Sequence, residues 1–232
     1  MKIGIMQPYF FPYIGYFQLI AAVDLFIVYD NIKYTKKGWI NRNRMLRNGR
    51  AVTFSLPLKH DSDALDVSGR ELAADFRPDK LLNQISGAYR RAPYFAQTFP
   101  LVEEVVRFEE RNLFRFLHHS IAKTCRHLGI GTEIRPSSSV AADHSLTGED
   151  KVLAICEALG ASVYVNATGG RALYSPEEFR RRGLTLKFIE SRPFEYAQFG
   201  GEFVPWLSIV DVMMFNSCDT VRERIESHYD VI

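Results

Sequence analysis

The 232-residue sequence predicts an α/β fold: a Rossmann-like, mostly parallel sheet with a helical insertion over about residues 79–130. Three observations carry that prediction. Lys2–Ile5 is a short apolar, β-branched run closed by Met6-Gln7-Pro8, and Asp24–Asp30 is a second apolar strand ending on a carboxylate. Between them, Gly15 to Val23 has helical periodicity, so the first thirty residues read as strand, turn, helix, strand. Far downstream, Ser162–Asn166 is another short buried strand running into a Gly169-Gly170 turn, which repeats the logic of the first unit.

A βαβ unit places its ligand site beyond the carboxyl ends of its strands, and Gln7 and Asp30 stand at those two ends. The turn after Gln7 is Pro8-Tyr9-Phe10-Phe11-Pro12-Tyr13-Ile14-Gly15-Tyr16-Phe17. Aromatics in such a turn serve as packing, and Phe or Leu would do that as well. Tyr9, Tyr13 and Tyr16 add hydroxyls that need partners when buried, which points to a ligand pocket. The expectation is that this turn and Asp30 face one pocket.

Asn31–Arg44 is polar, aromatic and cationic with weak periodicity, and reads as a functional loop. Trp39, Asn41, Arg42 and Asn43 are its candidate substrate contacts. A surface turn with an Asn-capped edge would also explain the row, but the guanidinium fork of Arg42 suits phosphate or carboxylate. Ala51–Leu58 alternates as a strand, and Leu65–Val67 suggests another. His60, among Lys59, Asp61 and Asp63, reads as exposed.

Lys80 to Leu128 is mostly helical: Leu81, Leu82, Ile85 and Tyr89 share one face, Tyr94–Phe99 and Leu101–Phe108 read as separate segments, and Leu113–Leu128 as one long helix. Gly129 is the natural residue to close it. Thr132–Arg135 begins a strand, and Ser145–Asp150 caps a helix that continues to Leu159. Asn166, Gly169 and Gly170 put a polar side chain and backbone N–H groups at one sheet edge, completing the candidate site. Ser175-Pro176-Glu177-Glu178 is a capping box with Pro at the first helical position, and Leu184–Ile189 is the next strand. Ser208 and Asp211 read as cap and third residue of an apolar helix, and Cys218–Ile232 as a closing helix and tail.

A net charge of +2 implies no strong field toward nucleic acid or membrane. No apolar run approaches the ~18 residues of a membrane span. Cys125, Cys156 and Cys218 are odd in number and far apart, which argues against a disulfide framework or zinc site and for free thiols in a reducing compartment. The first residues lack the pattern of a signal peptide, so the expectation is a cytoplasmic protein. No residue set names a cofactor or fixes an oligomeric state.

The ordered set Gln7–Tyr16, Asp30, Trp39–Asn43, Ala92-Pro93-Tyr94-Phe95, Tyr164 with Gly169-Gly170, and Phe203–Asp211 resembles the WbqC-like family of bacterial proteins over almost the full chain. That family is associated with gene clusters for surface polysaccharides such as O-antigen, so the resemblance implies work on an activated sugar. A weaker resemblance is to nucleotidylyltransferases of the His-x-Gly-His type, with Tyr13-Ile14-Gly15-Tyr16 in the motif's place. Neutral tyrosine cannot replace a cationic imidazole on phosphorus, so this likeness favours the fold over the activity.

These readings converge on a transferase for a nucleotide-linked or carrier-linked sugar, with Asp30 as general base and Arg42 as anion anchor. No nucleophilic Ser/Cys–His arrangement, metal spacing or P-loop is visible, so the chemistry expected is the positioning of two substrates. A non-catalytic sugar-binding protein of the same pathway and a diverged nucleotidylyltransferase are the rival classes.

Overall fold

The computed structural model describes residues 1–62 and 64–232, so Asp63 lies outside the described residues. β1 (Lys2–Met6) is the sheet's centre. It pairs in parallel with β2 (Leu25–Val28), Ile3 opposite Leu25, and with β6 (Val163–Ala167), Lys2 opposite Val163. β5 (Glu133–Pro136) adds in parallel outside β2, and β7 (Thr185–Ser191) outside β6. β8 (Tyr229–Val231) closes that edge antiparallel to β7, giving the order β5-β2-β1-β6-β7-β8. The sheet is thus mostly parallel, with flanking helices. The chain winds outward from β1 to β5, then returns across β1 to β6, so its direction reverses between β1 and β6. In open α/β sheets the crevice at that reversal is where ligands bind.

α1 (Ile14–Ala21) covers one sheet face, and α5 (Gly148–Ala158) and α6 (Pro176–Arg181) belong to the core of the other. Between β2 and β5 lie α2 (Pro78–Tyr89), α3 (Phe95–Val106) and α4 (Leu113–His127), which form the helical part of the insertion. α3 continues through Pro100, where the sequence suggests two segments. Burial of Leu101, Val102, Val105 and Val106 offsets the one backbone hydrogen bond that Pro100 removes. Asn112 caps α4 by accepting from the Arg115 amide, and Gly129 follows at φ 71.

The insertion also holds a hairpin where a loop is expected: β3 (Arg42–Arg47) and β4 (Arg50–Ser55) pair antiparallel. Asn48-Gly49, at φ 51 and 72, is its two-residue turn, and the polar look of β3 hides a buried row of Asn43, Met45 and Leu46. Leu65–Val67 is likewise no strand: Asp66 makes a single bridge to Lys33 and a 3-10 turn begins at Val67. After α7 (Ile209–Phe215) and α8 (Cys218–Ser227) the tail becomes strand β8. No helix among the described residues is long and apolar enough to cross a membrane, and Cys125, Cys156 and Cys218 are free thiols.

The aromatic turn is held by the hairpin and by α7. Phe11 is fully buried at φ 42, a left-handed conformation that is strained for a bulky side chain. Asn43 Nδ2 donates to the Phe10 and Phe11 carbonyls at 3.1 and 2.8 Å, and Ser208 Oγ donates to the Phe11 carbonyl at 2.7 Å. Ser208 also caps α7 by accepting from the Val210 amide, and its own amide donates to the Arg44 carbonyl at 2.9 Å. Three residues on, in the first turn of α7, Asp211 is fully buried and accepts from Tyr89, Tyr196 and Gln198 at 2.7, 2.6 and 2.8 Å. Burial raises its pKa above the ordinary carboxylate value, against the opposite pull of those three donors.

Asn43→Ala takes a donor from the Phe10 carbonyl and the acceptor from the Arg44 amide, and leaves the Phe11 carbonyl with Ser208 alone. A loss of about 2–4 kcal/mol is expected, at ~1–3 kcal/mol per unsatisfied buried group. Urea unfolding measures it, and a loss below about 0.5 kcal/mol would mean that the clamp does not hold the turn.

Candidate functional site

Beyond the carboxyl ends of β1 and β6 opens a cavity of about 920 Å³. Met6 and Gln7 from the end of β1, and Asn166, Gly169 and Gly170 from the end of β6, form its floor. Tyr9, Tyr13 and Tyr16 from the aromatic turn and α1, with Trp39 above them, form one wall. Tyr29, Asn31 and Lys33 after β2, and residues 144–149 with Lys151 around the start of α5, form the other.

The three tyrosines differ. Tyr16 is buried and donates its hydroxyl to the Gln7 carbonyl at 2.9 Å, so that hydroxyl is taken by the fold. Tyr9 and Tyr13 are half-buried, and their hydroxyls have no hydrogen-bond partner among the described residues. Burial raises both of their pKa values, and the nearness of Tyr13 adds to that of Tyr9. All three are neutral donors and acceptors at physiological pH. Gly15 lets the wall form: a Cβ there would run into the Tyr13 ring and approach Ser191 Oγ to 2.6 Å.

At the other end of the floor, Asn166 donates from Nδ2 to the Tyr164 hydroxyl at 2.8 Å and accepts the Ala167 amide at 2.7 Å. Gly170 packs on that amide, where a Cβ would come within 3.1 Å of Asn166 Nδ2. Asn166 therefore shapes the Gly169-Gly170 turn while facing the cavity.

Four of the expected site residues do not line this cavity. Asp30 is buried, its carboxylate accepting from Ser137 Oγ at 2.7 Å, from the Ser138 amide at 2.9 Å and from the Ser138 hydroxyl. Asn41 accepts from Tyr34 and donates to the Leu56 carbonyl, both at 2.8 Å. Arg42 donates from Nε to the Gly38 carbonyl at 2.9 Å and from Nη2 to the Lys37 carbonyl at 2.6 Å. Asn43 is spent on the aromatic turn, as above. The neighbours of Asp30 in sequence, Tyr29 and Asn31, face the cavity instead.

Lys151 is the charged residue that sequence reasoning passed over. It is buried in the cavity wall, 6% exposed, and donates to the Asn31 carbonyl at 2.8 Å above the Tyr29 ring at 5.7 Å. Desolvation lowers its pKa, while Asp66 and Asp30 pull it back up. Its signal in the sequence is weak: Lys151 lies four residues before the buried Ile155, on the apolar stripe of α5. Just ahead of it, Thr147 gives α5 no side-chain cap; Thr147, Gly148 and Glu149 at that helix start line the cavity, and Glu149 and Asp150 make its first turn acidic. His144 is held at both ring nitrogens, Nδ1 by Asn31 Nδ2 and Nε2 by the Val140 carbonyl, each at 2.9 Å. Both ring nitrogens are thus engaged within the fold. Glu149 accepts the Ser175 amide, whereas the half-buried Asp66 carboxylate accepts no hydrogen bond among the described residues.

Gly15→Ala tests how tightly the tyrosine wall is built. Overpacking of this kind costs about 1–3 kcal/mol, read from the denaturation midpoint. Unchanged stability would mean that Tyr13 swings aside freely.

Comparison with known proteins adds a family. The profile of the WbqC-like protein family matches residues 7–223. One relative is the uncharacterized protein Rv1507c of Mycobacterium tuberculosis, 28% identical over 232 residues, which is 93% of this chain and 93% of that one. No solved structure matches.

Proposed function

We propose, from the premise that the chain belongs to the WbqC-like protein family, that it is a transferase acting on a nucleotide-linked or carrier-linked sugar in bacterial surface-polysaccharide biosynthesis. Lys151 carries this reading: a desolvated ammonium in the wall of the crevice where the sheet reverses direction. Burying an ammonium costs free energy that one carbonyl and an aromatic ring only partly return. An anionic ligand at that spot recovers it. Activated sugars carry such an anion in the phosphate that joins sugar to nucleotide or carrier. The start of α5, which Thr147 leaves without a side-chain cap, brings its helix dipole to the same side, against the Glu149 and Asp150 carboxylates of its first turn.

The volume of about 920 Å³ is near the top of the ~300–1,000 Å³ range of small-molecule pockets, room for a donor with part of an acceptor. Catalysis in this reading comes from holding the two substrates together. Cys125 and Cys156 are buried with thiols pushed up to about 12, so neither is poised as a nucleophile. The carboxylate placed to take a proton from an acceptor is Asp66. Asp30 acts behind it, tying the end of β2 to Ser137 and Ser138 so that Asn31 faces inward. A second reading, sugar binding without turnover, is favoured by the engagement of His144 and Glu149 in the fold.

Lys151→Met is the decisive variant. It should weaken binding of a nucleotide-hexose by roughly 1.5–3 kcal/mol, the worth of a hydrogen bond to a charged group. The melting temperature should stay within about 2–4 °C of the parent, the equivalent of ~1 kcal/mol at this chain length. Calorimetry and thermal melting read the two quantities. Unchanged affinity would remove the anion role, and donor turnover followed by mass spectrometry separates transferase from binder.

A further inference from the structure

The crevice cavity does not end at its own rim. A smaller chamber of about 290 Å³ adjoins it, and Tyr9, Tyr13 and Trp39 line both. The chain has two tryptophans. Both Trp39 and Trp206 line this chamber, although they are 40% and 64% exposed. Trp206 adopts φ 59, a left-handed conformation that a bulky residue keeps only when its surroundings impose it. Arg44 is part of what imposes it, donating from Nη2 to the Trp206 carbonyl at 2.9 Å. Tyr13 meets the Trp206 indole edge-on, with ring centroids 6.2 Å apart.

Trp39 is fixed in a similar way. The guanidiniums of Arg42 and Arg44 lie 5.8 and 5.3 Å from its ring centroid. Arg42 also pins the loop that carries Trp39 through its bonds to the Lys37 and Gly38 carbonyls. Two indoles are therefore held in place yet left open to water, one of them at the cost of backbone strain. Such strain persists where the exposed surface has a use.

We infer that this chamber is a carbohydrate subsite, in which one pyranose ring lays its C–H face on Trp39 and Trp206 while its hydroxyls pair with Tyr9 and Tyr13. The negative face of an indole attracts the polarised C–H groups of a pyranose. A tyrosine hydroxyl donates and accepts, as a sugar hydroxyl does, and these two have no partner in the fold. The chamber's volume sits at the lower limit of small-molecule pockets, ~300 Å³, which suits one ring and not a whole nucleotide-sugar. A nucleobase would stack as readily, but its edge needs amide-like partners. The amide in this wall, Asn43, has its groups taken by Phe10, Phe11 and the Arg44 amide. Arg42 and Arg44 are then positioning residues for the two indoles. The inference rests on the activated-sugar reading only for what is attached to the ring.

Since both tryptophans lie here, indole emission reports the chamber directly. The full chain is titrated with UDP- and dTDP-hexoses, with UDP and dTDP, and with methyl hexopyranosides, with calorimetry in parallel. The sugar-bearing probes should shift the emission and saturate, and the bare diphosphates should bind without moving it. Trp206→Ala and Trp39→Leu should each weaken the sugar-bearing probes at least tenfold at unchanged circular dichroism and unchanged diphosphate affinity. Trp39→Tyr, which keeps a stacking face, should retain most of the affinity. A full emission shift with UDP or dTDP alone would overturn the subsite in favour of a base platform, and silence with every probe would overturn it outright. An emission shift with methyl hexopyranosides, while no nucleotide binds by calorimetry, would uphold the subsite and remove the activated-sugar reading. Calorimetric binding of nucleotide-hexoses with silent tryptophans would do the reverse.

Discussion

The clamp on Phe11 organises the molecule. A fully buried phenylalanine at φ 42 is an unstable element on its own, and it persists because Asn43 from the hairpin and Ser208 from the cap of α7 both bond its carbonyl. Those two bonds join three parts far apart in sequence: the turn after β1, the insertion and the C-terminal helices. The Ser208 amide closes the loop on Arg44, and the Pro12 carbonyl accepts from Ile209. With the turn fixed, Tyr9 and Tyr13 can only project along the crevice, and Arg44 is left beside Trp206. The polar hub at Asp211 then ties α7 to Tyr89 of α2, whose hydroxyl also accepts the Leu46 amide. The insertion is thereby part of the site's foundation and not an ornament on the sheet.

Electrostatics divide the crevice in two. On the α5 side lie the buried Lys151 ammonium and the uncapped start of α5, with the Asp66 and Glu149 carboxylates beside them. On the turn side lie aromatic faces and two unpaired phenols. A ligand with one anionic end and one polyhydroxylated end matches that division, and this complementarity is what supports an activated sugar over a purely apolar molecule. Desolvation of Lys151 is tolerated by the fold at a cost, as binding sites often are.

Much of this could be read in the sequence where local pattern decides. Strand–turn–helix–strand is a short-range signal, so β1, α1, β2 and the ends carrying Gln7 and Asn166 were legible, as were the Ser175 and Ser208 caps and Gly129. What was not legible depends on distant partners. Asn41 and Asn43 look like ligand contacts because an amide reads the same whether it meets a substrate or a backbone carbonyl, and their acceptors lie up to 33 residues away. Asp30 at a strand end looks catalytic until Ser137 and Ser138, 107 and 108 residues later, turn toward it. Lys151 was hidden by the opposite effect, since a lysine near a helix start reads as solvated. The Asn48-Gly49 turn was a local signal overlooked, and it would have placed Arg42–Asn43 in a strand.

A crystal structure of the chain with a nucleotide-hexose bound addresses the central claim, that the β1–β6 crevice is the ligand site, most directly. The phosphates should lie against Lys151 and the start of α5, with the hexose beside Tyr9 and Tyr13. A ligand seated elsewhere, with Lys151 untouched, would contradict it.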